Sequence, residues 1–287
     1  MTDTRLVGKL SIVGTPLGNL EDMTFRAVRT LQEADFIAAE DTRHTRKLLA
    51  HFAITGKTVF SYHEHNERNA AQMIIDRVLA GESGAIVSDA GMPGISDPGQ
   101  EVIEQAIARN IRIEIVPGPS AVITALCGSG LAMRYFSFYG FLPRDAKDRR
   151  IFLEAIVRQE STLVFYEAPH RVGKVLADMY RVFGDREVVI ARELTKIHEM
   201  FHRGNLRDHE HLIAQEHLRG EMVIIVAGFA KDGQPQEEDV LLPIVDHVKL
   251  LVEQGLQKKE AMREVAKRHQ LSRRDVYQAW LDQEDEN

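Results

Sequence analysis

The sequence predicts an α/β protein with two consecutive α/β domains and a small helical module at the C-terminal end. Short apolar segments alternate with helical patterns every 20 to 30 residues, as expected for repeated βαβ units. A Pro-Gly-Pro-Ser stretch at 117–120 interrupts this alternation, and the polar stretch 231–239 has the composition of a linker. We therefore expect α/β domains at 1–118 and 119–230, a linker at 231–239 and a helical module at 240–287.

The first half contains five candidate strands, and each ends in a polar or glycine-rich segment. The expected strands are 9–14, 35–39, 58–62, 84–87 and 111–116. The expected helices between them are 24–32, a basic helix ending at 51, 70–79 and 99–108. Because ligands bind at the carboxyl ends of strands in parallel sheets, these strand exits are the candidate site.

The second half has a similar alternation, from which we expect a mixed sheet. The expected strands are 162–166, 188–191 and 222–226, and the expected helices are 121–130, 147–159, 169–183 and 205–217. Three further helices are expected in the module at 244–253, 258–269 and 273–281. Ser272 is the expected N-cap of the last of these helices, which gives a helix-turn-helix outline.

Composition and charge narrow the class of protein. The chain has 44% apolar and 28% charged residues and a net charge of −7, which argues against a protein that coats nucleic acid non-specifically. The apolar runs are too short to cross a bilayer and no signal-peptide core is evident, so we expect a cytoplasmic protein. The single cysteine, Cys127, excludes an intramolecular disulfide framework, and its apolar surroundings predict that it is buried.

The loop at 88–99 is the clearest candidate for a binding loop. Its sequence, SDAGMPGISDPG, contains three glycines and two prolines, follows a strand and precedes a helix. Bare backbone groups there could approach a ligand closely, and Asp89 and Asp97 add acceptors suited to positive charge or hydroxyl groups. The alternative is an ordinary strand-to-helix turn capped by Ser96 and Asp97.

Histidines offer no convincing metal site. There are twelve, and some are paired at 63 and 65, 198 and 202, and 209 and 211. No pair is joined by a cysteine cluster or by a third histidine at zinc spacing, so we expect no metal.

Six motifs, taken together and in this order, resemble the ribosomal RNA small subunit methyltransferase I family. They are VGTPLGNL at 13–20, EDTR at 40–43, the loop at 88–99, PGPSA at 117–121, GFLPR at 140–144 and YEAPHR at 166–171. That family belongs to the tetrapyrrole-methylase superfamily. The resemblance covers nearly the whole chain. It implies two α/β domains with S-adenosylmethionine in the cleft between them, 2′-O-methylation of a cytidine ribose in the decoding region of 16S rRNA, and a homodimer.

The resemblance also implies a set of donor-binding residues on both sides of the cleft. For Leu194 and Val223, plain core packing is an almost equal alternative. The implied cofactor-binding residues are Pro16, Leu17, Gly18, Asp89, Gly91, Met92, Ile95, Ser120, Ala121, Tyr166, Leu194 and Val223.

A ribose 2′-hydroxyl is a poor nucleophile at neutral pH, so a proton acceptor or a group that stabilises the alkoxide is expected. The strand exits supply the candidates, with Asp41 and Arg43 preferred, then Glu40 and His63, and with His44 and Glu64 nearby. In this interpretation one carboxylate acts as the base and Arg43 holds a phosphate. The alternative for Asp41 is an N-cap of the following helix.

RNA contact is expected from two groups of cations, for which solvated helix faces are the alternative. The neighbouring aromatic residues Phe136, Phe138 and Phe141 could stack on bases, but we expect at least two of them in the core. The candidate RNA-binding cations are Arg144, Lys147, Arg149, Arg150, Lys258, Lys259, Arg263, Arg273 and Arg274.

Two rival functions stay open at this point. The same fold could methylate a small tetrapyrrole or corrin precursor, although such a substrate needs neither the basic tail nor the cations at 144–150. The chain could also be a non-catalytic module that binds RNA or a nucleotide.

Overall fold

The computed structural model describes residues 8–214, 220–230, 243–253, 256–269 and 271–285. The chain divides into two compact units, Met1–Phe229 and Ala230–Asn287. The first unit contains two five-stranded sheets and the second contains three helices. Among the described residues, no helix combines the length and the apolar character that a bilayer span requires.

The first sheet is entirely parallel, with the strand order β3-β2-β4-β1-β5. The strands at Phe36–Ala39 and Gly84–Val87 are apolar and buried throughout, as expected for strands with helices on both faces. The strands are β1 (Lys9–Val13), β2 (Phe36–Ala39), β3 (Thr58–Ser61), β4 (Gly84–Val87) and β5 (Arg112–Val116). The helices are α1 (Phe25–Glu33) and α2 (Thr42–His51) on one face and α3 (Glu67–Leu79) and α4 (Gln100–Ala108) on the other.

This topology opens a crevice between β1 and β4. The two strands are neighbours, but β1 leads to a helix on one face of the sheet and β4 to a helix on the other. Ligands bind at such switch points in open α/β sheets. The loops after these strands are joined by two backbone hydrogen bonds between Thr15 and Gly91, 2.9 and 3.0 Å long. The loop at 88–99 is therefore anchored beside the crevice.

The second sheet is mixed, as predicted, with the order β6-β7-β10-β8-β9. Only β6 and β7 run parallel, so the carboxyl ends of β6, β7 and β8 share one edge with the amino end of β10. The strands are β6 (Phe136–Phe141), β7 (Thr162–Glu167), β8 (Glu187–Arg192), β9 (Met200–Asn205) and β10 (Met222–Val226). The helices are α5 (Ala121–Ser129) on one face, α6 (Ala146–Ile156) and α7 (Val172–Phe183) on the other, and the short α8 (His209–Ala214).

Two strands of this sheet are not among the predicted elements. The aromatic stretch at 135–143 forms β6, and β9 occupies residues before the helix predicted at 205–217. That helix begins only at His209, after a 3-10 turn, and its predicted last residues lie outside the described ones. β9 is an edge strand in which two apolar residues are followed by His202 and Arg203, so its sequence does not alternate between apolar and polar residues.

Cys127 is exposed, so the prediction that it is buried is wrong. The helical period explains the error, because the buried side chains of α5 lie at Val122, Ala125, Leu126 and Ser129. Cys127 falls on the opposite face of this helix.

The second unit is a three-helix module consisting of α9 (Ile244–Glu253), α10 (Lys258–Arg268) and α11 (Arg273–Asp285). Its core includes Val248, Val265 and Val276. Ser272 is confirmed as a capping residue: its hydroxyl accepts from the Asp275 backbone N–H, and the Asp275 carboxylate accepts from the Ser272 N–H in return.

Candidate active site

A cavity of about 560 Å³ lies where the strand exits of the first sheet face the shared edge of the second sheet. Its walls come from the loops after β1, β2 and β4, from the start of α5, and from the ends of β6, β7, β8 and β10. A cavity of this size suits a ligand the size of a nucleoside conjugate. The topology thus brings together segments as far apart in sequence as Leu17 and Val223.

Ten of the twelve residues proposed to bind the cofactor line this cavity. Pro16 is buried outside the lining, and Gly18 is exposed, at a position where an added Cβ would meet the aliphatic chain of Lys196. The ten lining residues are Leu17, Asp89, Gly91, Met92, Ile95, Ser120, Ala121, Tyr166, Leu194 and Val223. The structure therefore assembles most of the predicted set in one place.

The cavity is strongly acidic. Among its described lining residues the only cation is Lys196, whose Nζ lies 3.0 Å from Glu193 Oε1 and is thereby neutralised. Such a wall favours a cationic ligand. The lining carboxylates are Glu40, Asp89, Asp97, Glu167, Glu193 and Glu221.

Burial and crowding raise the pKa of two of these carboxyl groups. Burial, reinforced by the charges of Glu40 and Glu221, raises the pKa of Asp97 to about 7, although Ser88 donates a hydrogen bond to it. Burial also raises the pKa of Glu40, with the charge of Asp89 acting in the same direction. Asp97 can thus take up a proton at physiological pH.

Hydrogen bonds join the exits of β2 and β4 at the rim of the cavity. The Asp89 N–H donates to Glu40 Oε2 at 3.2 Å, and the Asp41 N–H donates to Asp89 Oδ1 at 3.1 Å. His44 Nδ1 lies 3.1 Å from Asp89 Oδ2. These contacts fix Glu40 and Asp89 beside one another in the wall.

Asp41 and Arg43 stand outside the cavity lining. Two nitrogens of Arg43 bind the Asp41 carboxylate, the shorter contact being 2.6 Å, and this carboxylate also accepts the Arg43 backbone N–H as the N-cap of α2. The hydrogen bonds from Arg43 hold the pKa of Asp41 well below its usual range. Asp41 is therefore a poor base in this arrangement. Its contacts are those of a helix N-cap, which is the alternative interpretation of this residue.

His63 also lies outside the cavity lining. Its ring is half-buried and makes an edge contact with His65, and its Nδ1 is buried without a hydrogen-bond partner among the described residues. Of the four residues predicted to be catalytic, only Glu40 lines the cavity.

Asp41, His44 and Asp89 each offer a possible metal-ligand atom, and these atoms lie within 4.8 Å of one another. The Asp41 carboxylate is already occupied by Arg43, and His44 and Asp89 are exposed. We propose no metal site here.

Of the five described residues other than glycine that have a positive φ angle, two line the cavity and a third lies two residues from one of them. Ser96, Glu193 and Thr195 have positive φ angles of 64°, 49° and 65°, and Ser96 and Glu193 line the cavity. Such conformations are costly for residues other than glycine and cluster at ligand-binding sites. The observation supports an interpretation of the cavity as a functional site.

The second half contributes acidic residues that the sequence analysis did not single out as site residues. Glu167, Glu193 and Glu221 come from the ends of three different strands and meet only in the folded sheet. Glu167 lies in the motif at 166–171, whereas the sequence signal of Glu193 and Glu221 was their position next to a strand. Glu167 is 2% exposed; its Oε1 accepts from the Ala168 N–H and pairs with Arg171 at 3.2 Å.

The cations proposed to bind RNA fall into different environments. Arg144, Lys147 and Arg150 are exposed, but Arg149 is buried and its guanidinium pairs with the Asp178 carboxylate at 2.6 Å. Arg149 is therefore a structural residue, a correction to the predicted set. The helical period of α6 turns it inward, away from its neighbours.

In the module, the proposed cations are exposed. Lys258 lies over the Trp280 ring at 4.1 Å. The other four exposed cations are Lys259, Arg263, Arg273 and Arg274.

The aromatic stretch also departs from expectation. Only Phe138 packs into the core, whereas Phe136 is 39% and Phe141 is 56% exposed. The prediction that at least two of the three are core residues is wrong. Phe141 lines the cavity.

Solved structures with the same fold are methyltransferases and a related synthase. Uroporphyrin-III C-methyltransferase from Thermus thermophilus, in complex with S-adenosylhomocysteine, superposes with a TM-score of 0.56 at 19% identity, covering 77% of this chain and 97% of that one. Diphthine synthase superposes with a TM-score of 0.60 at 15% identity, covering 77% and 90%. At these identities the likeness concerns the fold.

Sequence comparison gives nearer relatives. Ribosomal RNA small subunit methyltransferase I of Halalkalibacterium halodurans is 48% identical over 94% of this chain and 93% of its own length. The protein of the same name from Bacillus subtilis is 41% identical over 96% and 94%. Residues 9–210 match the family model of the tetrapyrrole (corrin/porphyrin) methylases. The chain therefore belongs to the tetrapyrrole methylase family and, within it, to the ribosomal RNA small subunit methyltransferase I family.

Proposed function

We propose that this protein transfers a methyl group from S-adenosylmethionine to 16S ribosomal RNA, at the 2′-oxygen of a cytidine ribose in the decoding region. The observation that carries the proposal is the acidic cavity, which gathers ten of the twelve residues that the family resemblance implies. The names of the full-length relatives support an rRNA substrate. The choice of cytidine and of the 2′-oxygen rests on the resemblance.

The lining residues suit this methyl donor. S-adenosylmethionine carries a sulfonium and an ammonium group, and a wall of carboxylates with one neutralised lysine favours both. When bound, it supplies an electrophilic methyl carbon. Asp89, Gly91 and Ile95 would hold it from the first sheet, and Ala121, Tyr166 and Val223 from the second. The enclosed walls would limit its movement, and such positioning is a large part of catalysis in a displacement reaction.

We infer that Glu40 or Asp97, rather than Asp41, accepts the proton of the ribose hydroxyl. Both line the cavity, and burial raises the pKa of each toward the range in which a general base is effective. Asp41 is held by Arg43 outside the lining. Arg43, whose side chain is 81% exposed, is available to contact an RNA phosphate at the rim.

The experiment that tests this function uses small ribosomal subunits from a strain that lacks the protein. Subunits are incubated with the protein and with S-adenosylmethionine labelled in the methyl group, and the label is mapped by nuclease digestion. We expect label on the ribose of one decoding-region cytidine. Label elsewhere would correct the target, and absence of label with intact donor binding would contradict the function.

The rival substrate, a tetrapyrrole precursor, is supported by the likeness of fold to methylases of that class. Such precursors carry several carboxylates, which find no complementary charge in a lining whose only cation, Lys196, is paired with Glu193. A parallel assay with uroporphyrinogen separates the two functions, and we expect no transfer to it. The homodimer stays a prediction, which light scattering after gel filtration would check.

A further inference from the structure

Phe141 lies at the mouth of the cavity, with much of its aromatic ring exposed to solvent. It is 56% exposed and yet lines the cavity, beside Tyr166 at a ring-centroid distance of 5.5 Å. Burying a phenylalanine side chain stabilises a protein because it removes a large apolar area from water. In the free protein, part of the Phe141 ring stays in water and this stabilisation is incomplete, which points to a partner that covers the ring.

A bulge in β6 turns this ring toward the cavity. Phe138 lies opposite Val164 on β7, and Phe141 lies opposite Tyr166, so three steps on β6 match two on β7. Paired residues share a face, which places Phe141 with Phe138 and Tyr166. Strict alternation would instead send Phe141 to the opposite face of the sheet, where the α6 and α7 core lies. Bulges re-aim side chains in this way near binding sites.

Gly140 makes the bulge possible. Its φ of +64° lies in the left-handed region, which side chains disfavour, and a Cβ there would approach Ser96 Oγ to 3.2 Å. Because Ser96 belongs to the loop at 88–99, this position also joins β6 to the opposite wall of the cavity.

Two arginines fix the segment that follows Phe141. Arg171 Nη2 donates to the carbonyls of Leu142 and Pro143 at 2.8 and 3.2 Å. Arg149 Nη1 donates to the carbonyls of Pro143 and Arg144 at 3.2 and 3.1 Å.

Both arginines are held in turn by buried carboxylates. Arg149 pairs with Asp178 and Arg171 with Glu167. The exposed ring of Phe141 is therefore presented on a rigid support, with the exposed Arg144 three residues away.

We propose that Phe141 stacks against the base of the target nucleotide and that Arg144 contacts an adjacent phosphate of the RNA. Exposed rings next to cations are how proteins hold unstacked RNA bases. In this position the base would lie at the mouth of the cavity and its ribose would be directed toward the methyl donor. The inference rests on the proposed function, because it assigns the substrate subsite of the same cavity.

The test compares Phe141→Leu, Phe141→Trp and the control Phe136→Leu. Phe136 is an exposed phenylalanine at the opposite end of β6, away from the cavity lining. Donor affinity is measured by calorimetry, and kcat/KM is measured on undermethylated small subunits. We expect Phe141→Leu to lower kcat/KM about 10- to 100-fold with unchanged donor affinity, Phe141→Trp to retain most activity, and Phe136→Leu to behave as the parent protein.

Three results would overturn the inference. If Phe141→Leu matched the parent in kcat/KM, the ring would not act as a platform. If its donor affinity fell in parallel, the ring would belong to the donor site. If leucine and tryptophan were equally impaired, stacking would not be the cause. Failure of the proposed function is distinguishable, because the unsubstituted protein would then transfer no label to the subunits.

Discussion

At the scale of single residues, substitutions can identify the group that accepts the proton of the ribose hydroxyl. Glu40 and Asp97 line the cavity, and Asp41 is paired with Arg43. If Glu40 is the base, we expect Glu40→Gln to lower kcat on small subunits about 100-fold or more. If Asp97 is the base, we expect the same effect from Asp97→Asn. Asp41→Asn should reduce kcat by less than about 10-fold, because it weakens a helix cap and an exposed ion pair. Single-turnover methyl transfer measures all three, and a larger effect for Asp41→Asn would restore Asp41 as the base.

The raised pKa of Asp97 also predicts a pH-dependent stability. The usual value is near 3.8, and in the folded protein the pKa is about 7, so between these values the native state binds more protons than the unfolded chain. The contribution of Asp97 to the free energy of unfolding therefore falls as the pH rises between these two pKa values. Asp97→Asn removes the penalty, and we expect it to raise the free energy of unfolding by on the order of 1 kcal/mol at pH 8.

At pH 4 the same substitution should change stability little, because Asp97 is then protonated in the folded protein. Urea unfolding at both pH values provides the measurement. Equal effects at pH 4 and pH 8 would show that the native carboxyl titrates normally.

At this scale the sequence predicted much of the donor site and little of its acidity. Motif residues such as Asp89 and Gly91 lie together in a loop after one strand, so local sequence reveals them. Glu193 and Glu221 are contributed by separate strands, and only the antiparallel pairing of β8 with β10 brings them to one wall. Burial of Arg149 likewise depends on packing against Asp178, 29 residues away.

At the scale of elements, continuous apolar runs made β2 and β4 predictable, whereas β6 and β9 were not predicted. A parallel strand buried on both faces has a strong signal of its own. β9 lies at an edge, and β6 contains a bulge that disturbs alternation. Both depend on pairing with a neighbour, which a single sequence does not record.

The segments that follow β1 and β5 approach each other closely, and this contact gives a prediction at the scale of elements. A Cβ on Gly14 would lie 2.7 Å from Gly118 Cα and from Met92 Sδ, so Gly14→Ala must push the two strand exits apart. We expect the free energy of unfolding to fall by about 1–3 kcal/mol. Donor affinity should fall at least about 10-fold, because Met92 lines the cavity.

Calorimetry and urea unfolding measure these two effects. The control is Gly173→Ala in helix α7, where alanine has the higher helix propensity. Parent-like donor binding in Gly14→Ala would mean that the crevice tolerates wider spacing.

At the scale of the whole molecule, charge is distributed unevenly. The net charge is −7, yet seven lysines and arginines lie between residues 258 and 274, against two glutamates. An acidic cavity suits a cationic donor, and local basic surfaces suit RNA phosphates. The overall charge therefore does not argue against an RNA substrate.

The module's contribution to RNA binding gives a whole-molecule prediction. Arg273 and Arg274 are exposed in the first turn of α11, and we expect the double alanine variant to bind small-subunit RNA more weakly. The slope of log affinity against log salt concentration should fall by about 0.7 for each phosphate that the variant no longer binds, because fewer counterions are released. Filter binding at several salt concentrations measures the slope.

The matched control replaces Arg29 and Arg158, two exposed arginines outside the proposed RNA-binding set, with alanine. This variant changes the net charge by the same amount, so a general electrostatic effect would appear equally in both. Donor affinity should be unchanged in each. Equal salt slopes in the two double variants would show that the α11 arginines bind no phosphate of their own and would contradict their place in the RNA-binding set.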